Sequence, residues 1–189
     1  MGVLNVTPDS FSDGGRFAEP AAALDQALRL LEQGADILDI GGESTRPGAV
    51  SVEEQVELDR VLPIIEAIRA RSDAPLSIDT MKPVVARAAV AAGASVWNDI
   101  SALSGAPDSL QTAAALGCDV VLMHMKGAPA TMQQAPAYED VVGTVCTYLE
   151  DRARAAMAAG VARERIQFDP GIGFLTQGLS QQPGGFPTG

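Results

Sequence analysis

Short apolar runs along this chain end in side chains that can do chemistry. Asn5 closes GVLN, Asp39 and Glu43 lie in DILDIGGE, Asp79 ends LSID, Asn98 and Asp99 end VWND, His124 follows VVLM, and Asp169 ends IQFD. An ionised aspartate accepts two parallel hydrogen bonds from a 2-amino-pyrimidinone edge. An asparagine offers both a donor and an acceptor. Several such groups on an otherwise apolar floor suit a flat heterocycle rich in N–H donors. Positive charge is available in GGESTRPG, where Arg46 stands beside Thr45 between Gly42 and Gly48, in a segment able to approach and hold an anion. Asn5 carries no charge and suits a hydrated Mg²⁺ held together with phosphate oxygens.

Taken singly, each residue also has an ordinary reading. Asp79 can start a helix ahead of Pro83. Asn98-Asp99 and Asp169-Pro170-Gly171 can be turns. His124, the sole histidine, can be a satisfied, partly buried side chain, and Arg46 a solvated one. The stretch LNVTPDSFSDGG, from Leu4 to Gly15, admits three readings: a surface turn, a metal or phosphate site, or the lip of a site whose other walls lie elsewhere. A zinc centre has no second histidine or cysteine cluster to draw on. No GxSxG marks a serine hydrolase.

The elements that must position these groups recur. An alanine-rich helix, a glycine and a short apolar run repeat in EQGADILDIGGEST, AAGASVWNDIS, ALGCDVVLMH and, more loosely, AAGVARERIQFDPG. Gly34, Gly93, Gly117 and Gly160 suit the left-handed residue that closes a helix. The apolar runs lack polar alternation, as expected of parallel strands covered on both faces. Strands are expected near 2–5, 36–40, 76–79, 95–98, 119–123 and 166–169. Pro20 and Pro83 fit first helical turns, and Ser51 with Glu54 reads as a capping box. Leu24, Leu28 and Leu31 form one apolar stripe, and Val61, Ile64, Ile65 and Ile68 another. Repeated β/α units make an open doubly wound sheet or a (β/α)8 barrel. Neither GxGxxG nor GxxxxGK[ST] occurs, and a barrel brings every strand end to one mouth. The reading is α/β, a (β/α)8 TIM-barrel family chain with about six β/α units.

Composition bounds the rest. The chain has 189 residues, 47% of them hydrophobic, enough for one domain with a sizeable core. A net charge of −11 without any basic run argues against nucleic acid or an anionic membrane as partner. Cys118 and Cys146 have no CxxC spacing, which reads as buried thiols in a reducing compartment. No signal peptide or apolar run of about 20 residues is visible, so the expected location is the cytoplasm.

In order along the chain, GVLNVTPDSFSDGG, ADILDIGGESTRPG, SIDT, WNDIS, LMHMKG and DPGIGF resemble the successive motifs of the dihydropteroate synthase family. The first two are long and specific. The resemblance implies a (β/α)8 barrel joining 6-hydroxymethyl-dihydropterin diphosphate to p-aminobenzoate in folate synthesis, with Mg²⁺ assisting and pyrophosphate released. It implies that Asp79, Asn98 and Asp169 grip the pterin, with Ile100 and Met123 lining its pocket, and that Asn5 meets the metal and pyrophosphate. It also implies that Asp9, Phe11, Ser12, Thr45, Arg46 and Pro47 shape the p-aminobenzoate site that sulfonamides share. A homodimer is expected of a complete barrel. A non-catalytic pterin-holding or partner-pairing fragment is the alternative. A corrinoid-type pterin methyltransferase is disfavoured, because it needs neither ESTRPG nor TPDSFSDGG.

The chain departs from the family after DPGIGF. Residues 1–174 read as the pterin-binding partial barrel, and 175–189 (LTQGLSQQPGGFPTG) as an uncharged Gly/Pro/Gln-rich tail. No lysine or arginine follows Arg165, so the family's later lysine and Arg-x-His anion site have no counterpart. The expectation is that this chain alone turns over little or nothing.

Overall fold

The six apolar runs form six parallel strands. The structure is a computed structural model, and it describes residues 1–7, 18–44, 51–125 and 140–172. Chain order is β1 (Gly2–Asn5), α1 (Ala18–Glu32), β2 (Leu38–Gly41), α2 (Glu54–Arg69), β3 (Leu76–Asp79), α3 (Pro83–Ala91), β4 (Val96–Asp99), α4 (Ser109–Leu116), β5 (Asp119–Met123), α5 (Val141–Ala159) and β6 (Ile166–Asp169). The strands lie side by side in the order of the sequence, every neighbouring pair parallel. This is the sheet order of an α/β barrel, here with six strands among the described residues. The tail from 175 lies outside the described residues.

Alternation along each strand separates two faces. Leu38, Ile40, Leu76, Ile78, Trp97, Val120 and Leu122 are buried beneath the helices. Residues of the other face meet in one register row that runs Asn5, Gly41, Asp79, Asn98, Val121, Gln167 across the six strands. The expected stripe on α2 is confirmed, with Val61, Ile64, Ile65 and Ile68 all buried. On α1 the deepest residues are instead Ala23 and Ala27, and Leu24, Leu30 and Leu31 flank them half-buried. A methyl group at the contact lets that helix approach closely, and the leucines fill the sides. Gly34, Gly93, Gly117 and Gly160 all take positive φ where their helices end, as the repeat implies.

Two local expectations fail. Helix α2 starts one residue after Glu53, and no side chain caps it. Ser51 does not form a capping box with Glu54 because its hydroxyl turns to the Glu43 carboxylate, 3.5 Å away. Of the two free thiols, only Cys118 is buried and Cys146 on α5 is exposed. No described helix is long and apolar enough to cross a membrane.

The α2 stripe anchors its helix to the sheet, so Ile65→Ala is expected to cost about 2–5 kcal/mol through lost burial and a residual cavity. Urea unfolding should show a lower midpoint at unchanged slope; a shift of the slope alone would contradict the assignment.

Candidate active site

The register row places polar atoms around a residue that has no side chain. A Cβ added at Gly41 would lie 3.5 Å from Asn5 Oδ1 on one side and 3.5 Å from Asp79 Oδ2 on the other. Asn5 is exposed, Asp79 and Asn98 are half-buried. The Asn98 amide donates to Asp39 Oδ2 at 3.1 Å, which fixes the amide and leaves its carbonyl oxygen pointing elsewhere. Asp79 Oδ1 is buried with no hydrogen-bond partner among the described residues. Asp79 does not start α3, because Lys82 occupies the N-cap and Pro83 the first turn. The helix-start reading of Asp79 is therefore set aside.

Asp169 ends β6 level with Met123. Its Oδ1 accepts from the Gly171 amide at 2.7 Å, and its backbone carbonyl accepts from His124 N at 2.8 Å. The turn reading of Asp-Pro-Gly is thus correct for one oxygen, while the other stays uncommitted to that turn. Gly171 itself has φ +68, and a Cβ there would stand 2.4 Å from the His124 carbonyl oxygen, so no other residue fits. Ile100 and Met123 are both buried. Asp9, Phe11, Ser12, Thr45, Arg46 and Pro47 lie outside the described residues.

Two of the strand-end groups do not face the mouth. Asp99 is buried and accepts from Ser101 N (2.7 Å), Ser101 Oγ (2.6 Å) and Leu103 N (3.2 Å), so it builds its own turn. His124 is buried and meets Tyr148 of α5 edge-on, ring centroids 5.1 Å apart. Each follows an inward residue, Asn98 or Met123, and alternation turns it to the helix layer. The picture of every strand-end polar group facing one mouth is corrected to that extent.

The electrostatics are acidic. Burial pushes Asp79 well above the ordinary carboxylate range, and the nearby charges of Asp39, Asp99, Glu57 and Glu43 push it further. Burial also raises Asp39, only partly offset by Ser77 and Asn98, and raises Asp99 against its hydrogen bonds to Ser101 and Leu103. The counter-charge is Lys82, which sequence reading passed over. Its ammonium donates to Glu43 and, at 2.6 Å, to Glu57 Oε2. Burial works against the ammonium, but those two carboxylates outweigh it and raise its pKa. Glu43 Oε2 also accepts from Ser51 Oγ and Val52 N. A cavity of about 10 Å³ lined by Glu43, Glu57, Asp79, Thr80, Met81 and Lys82 has room for about one water. Among the described residues no group of three or more His, Cys, Asp or Glu is arranged to hold a metal.

The chain matches the family model described as pterin binding enzyme over residues 1–184. It is 49% identical over 174 residues to the dihydropteroate synthase of Haemophilus influenzae, covering 92% of this chain and 63% of that protein. A structure of Xanthomonas albilineans dihydropteroate synthase with 4-aminobenzoic acid superposes with a TM-score of 0.86 at 51% identity, covering 95% of this chain and 64% of that one. The same organism's enzyme in complex with 7,8-dihydropteroate gives a TM-score of 0.81 at 47% identity, covering 96% of this chain and 65% of that one. The chain thus spans less than two thirds of the length of these relatives.

Asp79 holds more protons folded than unfolded. Its contribution is therefore most favourable below the unfolded carboxylate pKa of about 4 and is lost as pH rises through the raised native value. Asp79→Asn should raise the thermal midpoint at pH 8, with the gain shrinking toward pH 4. A gain that is equal at both pH values would mean that charge burial is not its origin.

Proposed function

The chain belongs to the pterin-binding enzyme family, and on that premise we propose that it carries the pterin-gripping part of a dihydropteroate synthase. The observation that carries this reading is the Asn5–Gly41–Asp79–Asn98 row, with the buried Asp79 Oδ1, which has no partner among the described residues, beside it. Asp79, Asn98 and the second carboxylate oxygen of Asp169 would accept from and donate to the pterin ring's edge, with Ile100 and Met123 as its apolar bed. Asp9, Phe11, Ser12, Thr45, Arg46 and Pro47 would form the p-aminobenzoate site, on the family resemblance alone.

In the reaction proposed, the carbon–oxygen bond between the pterin methylene and diphosphate breaks. The arylamine nitrogen bonds to that methylene and releases a proton, giving dihydropteroate and pyrophosphate. The ring's electrons stabilise the positive charge that develops on the methylene. The protein's part is then positioning, with the amine held in line, and no strong general base is needed.

Asn5 Oδ1 fits one ligand position of a Mg²⁺ that otherwise keeps waters and phosphate oxygens, since it is an exposed neutral oxygen at the mouth. When bound, that ion would supply charge stabilisation to the leaving diphosphate. A homodimer and a cytoplasmic location belong to the same proposal.

Calorimetric titration with 6-hydroxymethyl-7,8-dihydropterin tests the reading. The chain is expected to bind it, and Asn98→Ala to weaken binding roughly 10- to 100-fold, the scale of one buried hydrogen bond to a charged network. Absence of binding by the unsubstituted, folded chain would overturn the proposal. Release of pyrophosphate from pterin diphosphate in the presence of p-aminobenzoate tests the reaction itself.

A further inference from the structure

The turn between β4 and α4 is built in an unfavourable conformation. Ala102 and Leu103 take φ +52 and +61 in succession, the left-handed region that side chains with a Cβ rarely enter. Both are buried. The turn begins after Asp99, one residue beyond Asn98, and contains Ile100; Asn98 and Ile100 both belong to the proposed pterin floor.

Three groups hold it in place. From inside, the Asp99 carboxylate accepts from Ser101 and Leu103. From the neighbouring loop, Trp97 Nε1 donates to Thr80 O at 2.8 Å, and Gly105 lies so close to Met81 that a Cβ there would sit 3.3 Å from its carbonyl oxygen. From α5, about fifty residues on, Arg152 Nε donates to Ala102 O at 2.8 Å and Nη2 to Leu103 O at 3.0 Å. Tyr148, one turn earlier on the same helix, reaches Ser101 O at 3.5 Å. Two side chains at i and i+4 therefore engage three successive carbonyls. The guanidinium fork suits two adjacent acceptors in a way a single ammonium does not.

We propose that Arg152 is a positioning residue for the pterin site: its fork on the Ala102 and Leu103 carbonyls holds the left-handed turn that sets Asn98 and Ile100. The proposal rests on the pterin-binding reading for its functional half. Its structural half stands independently, because the left-handed pair and the fork on it are features of the fold alone.

Two readouts in the 189-residue chain separate these halves. The first is amide hydrogen exchange. Arg152→Met should speed exchange at Ser101 and Leu103 while the sheet amides stay protected. Ala102→Gly, which removes one of the two conformational penalties, should restore protection in the Arg152→Met background. The second is calorimetric affinity for 6-hydroxymethyl-7,8-dihydropterin. Arg152→Met should weaken it about 10- to 100-fold, Arg152→Lys less, and Ala102→Gly should recover much of the loss. Unchanged exchange in Arg152→Met overturns the proposal whatever the ligand does, and so does a loss spread evenly over the whole chain. Exchange that changes while a measurable pterin affinity stays constant overturns its functional half. A chain that binds no pterin before any substitution overturns that half together with the reading of the site, and exchange still decides the structural one.

Discussion

One ammonium holds the acidic end of the sheet together. Lys82 sits between Glu43 at the end of β2 and Glu57 of α2, three residues after Asp79. Glu57 is almost completely buried, and one of its oxygens has no partner among the described residues. Such a group survives in the core only with a cation against it. Breaking a buried pair by removing one member costs about 3–5 kcal/mol, because the survivor is left charged and desolvated. The same Glu43 oxygen accepts from Ser51 and Val52. The chain leaving β2 and the chain entering α2 are thereby tied to one point, and that point is tied to the start of α3. Gly42 completes the junction: Arg60 donates to its carbonyl at 2.7 Å, and a Cβ there would meet Val61 Cγ1 at 2.8 Å.

This arrangement explains why the mouth can be acidic and still ordered. Asp39, Asp79 and Asp99 are all raised by burial, a cost the fold carries at the strand ends. Strained or electrostatically costly groups persist where the surrounding structure over-determines them. Strand alternation then divides the labour between adjacent residues. Asn98 faces the mouth and Asp99 organises the turn behind it; Met123 faces the mouth and His124 meets α5. One face of the sheet carries the candidate site, and the other carries the turn and helix contacts behind it.

Much of the fold was legible because its signals are local. Six apolar runs, four closing glycines and the α2 stripe each follow from backbone rules, and all six strands form where those runs stand. Misreadings arose where a side chain had a better partner far away in sequence. Ser51 is a sound cap by its neighbours, but Glu43 competes for its hydroxyl. The same holds for the site. Asp79 and Asp169 end their strands and Asn98 stands one residue from the end of its own, so these candidates could be found by position alone. Lys82 and Arg152 could not, since their partners are 39 and 50 residues away. Glu57 did leave a trace: it lies on the apolar stripe with Val61, Ile64 and Ile68, and a carboxylate at such a position implies a buried cation to match it.

Charge also constrains how a diphosphate could lie here. The floor of the mouth gathers Asp39, Asp79 and, through Lys82, two glutamates, so it repels phosphate and favours a group presenting N–H donors. Lys82 already has its charge matched by two carboxylates, which leaves it little pull on a further anion. On the proposed reading the substrate is therefore polarised by the protein itself, its heterocycle toward β3 and β4 and its diphosphate toward the exposed Asn5 on β1. Gly41 makes the two ends continuous. Any side chain there would stand between Asn5 and Asp79 and divide the floor from the rim. On that reading a glycine at this point serves the ligand's length rather than the backbone, since Gly41 takes no positive φ and a Cβ there would meet its neighbours only at ordinary contact distance.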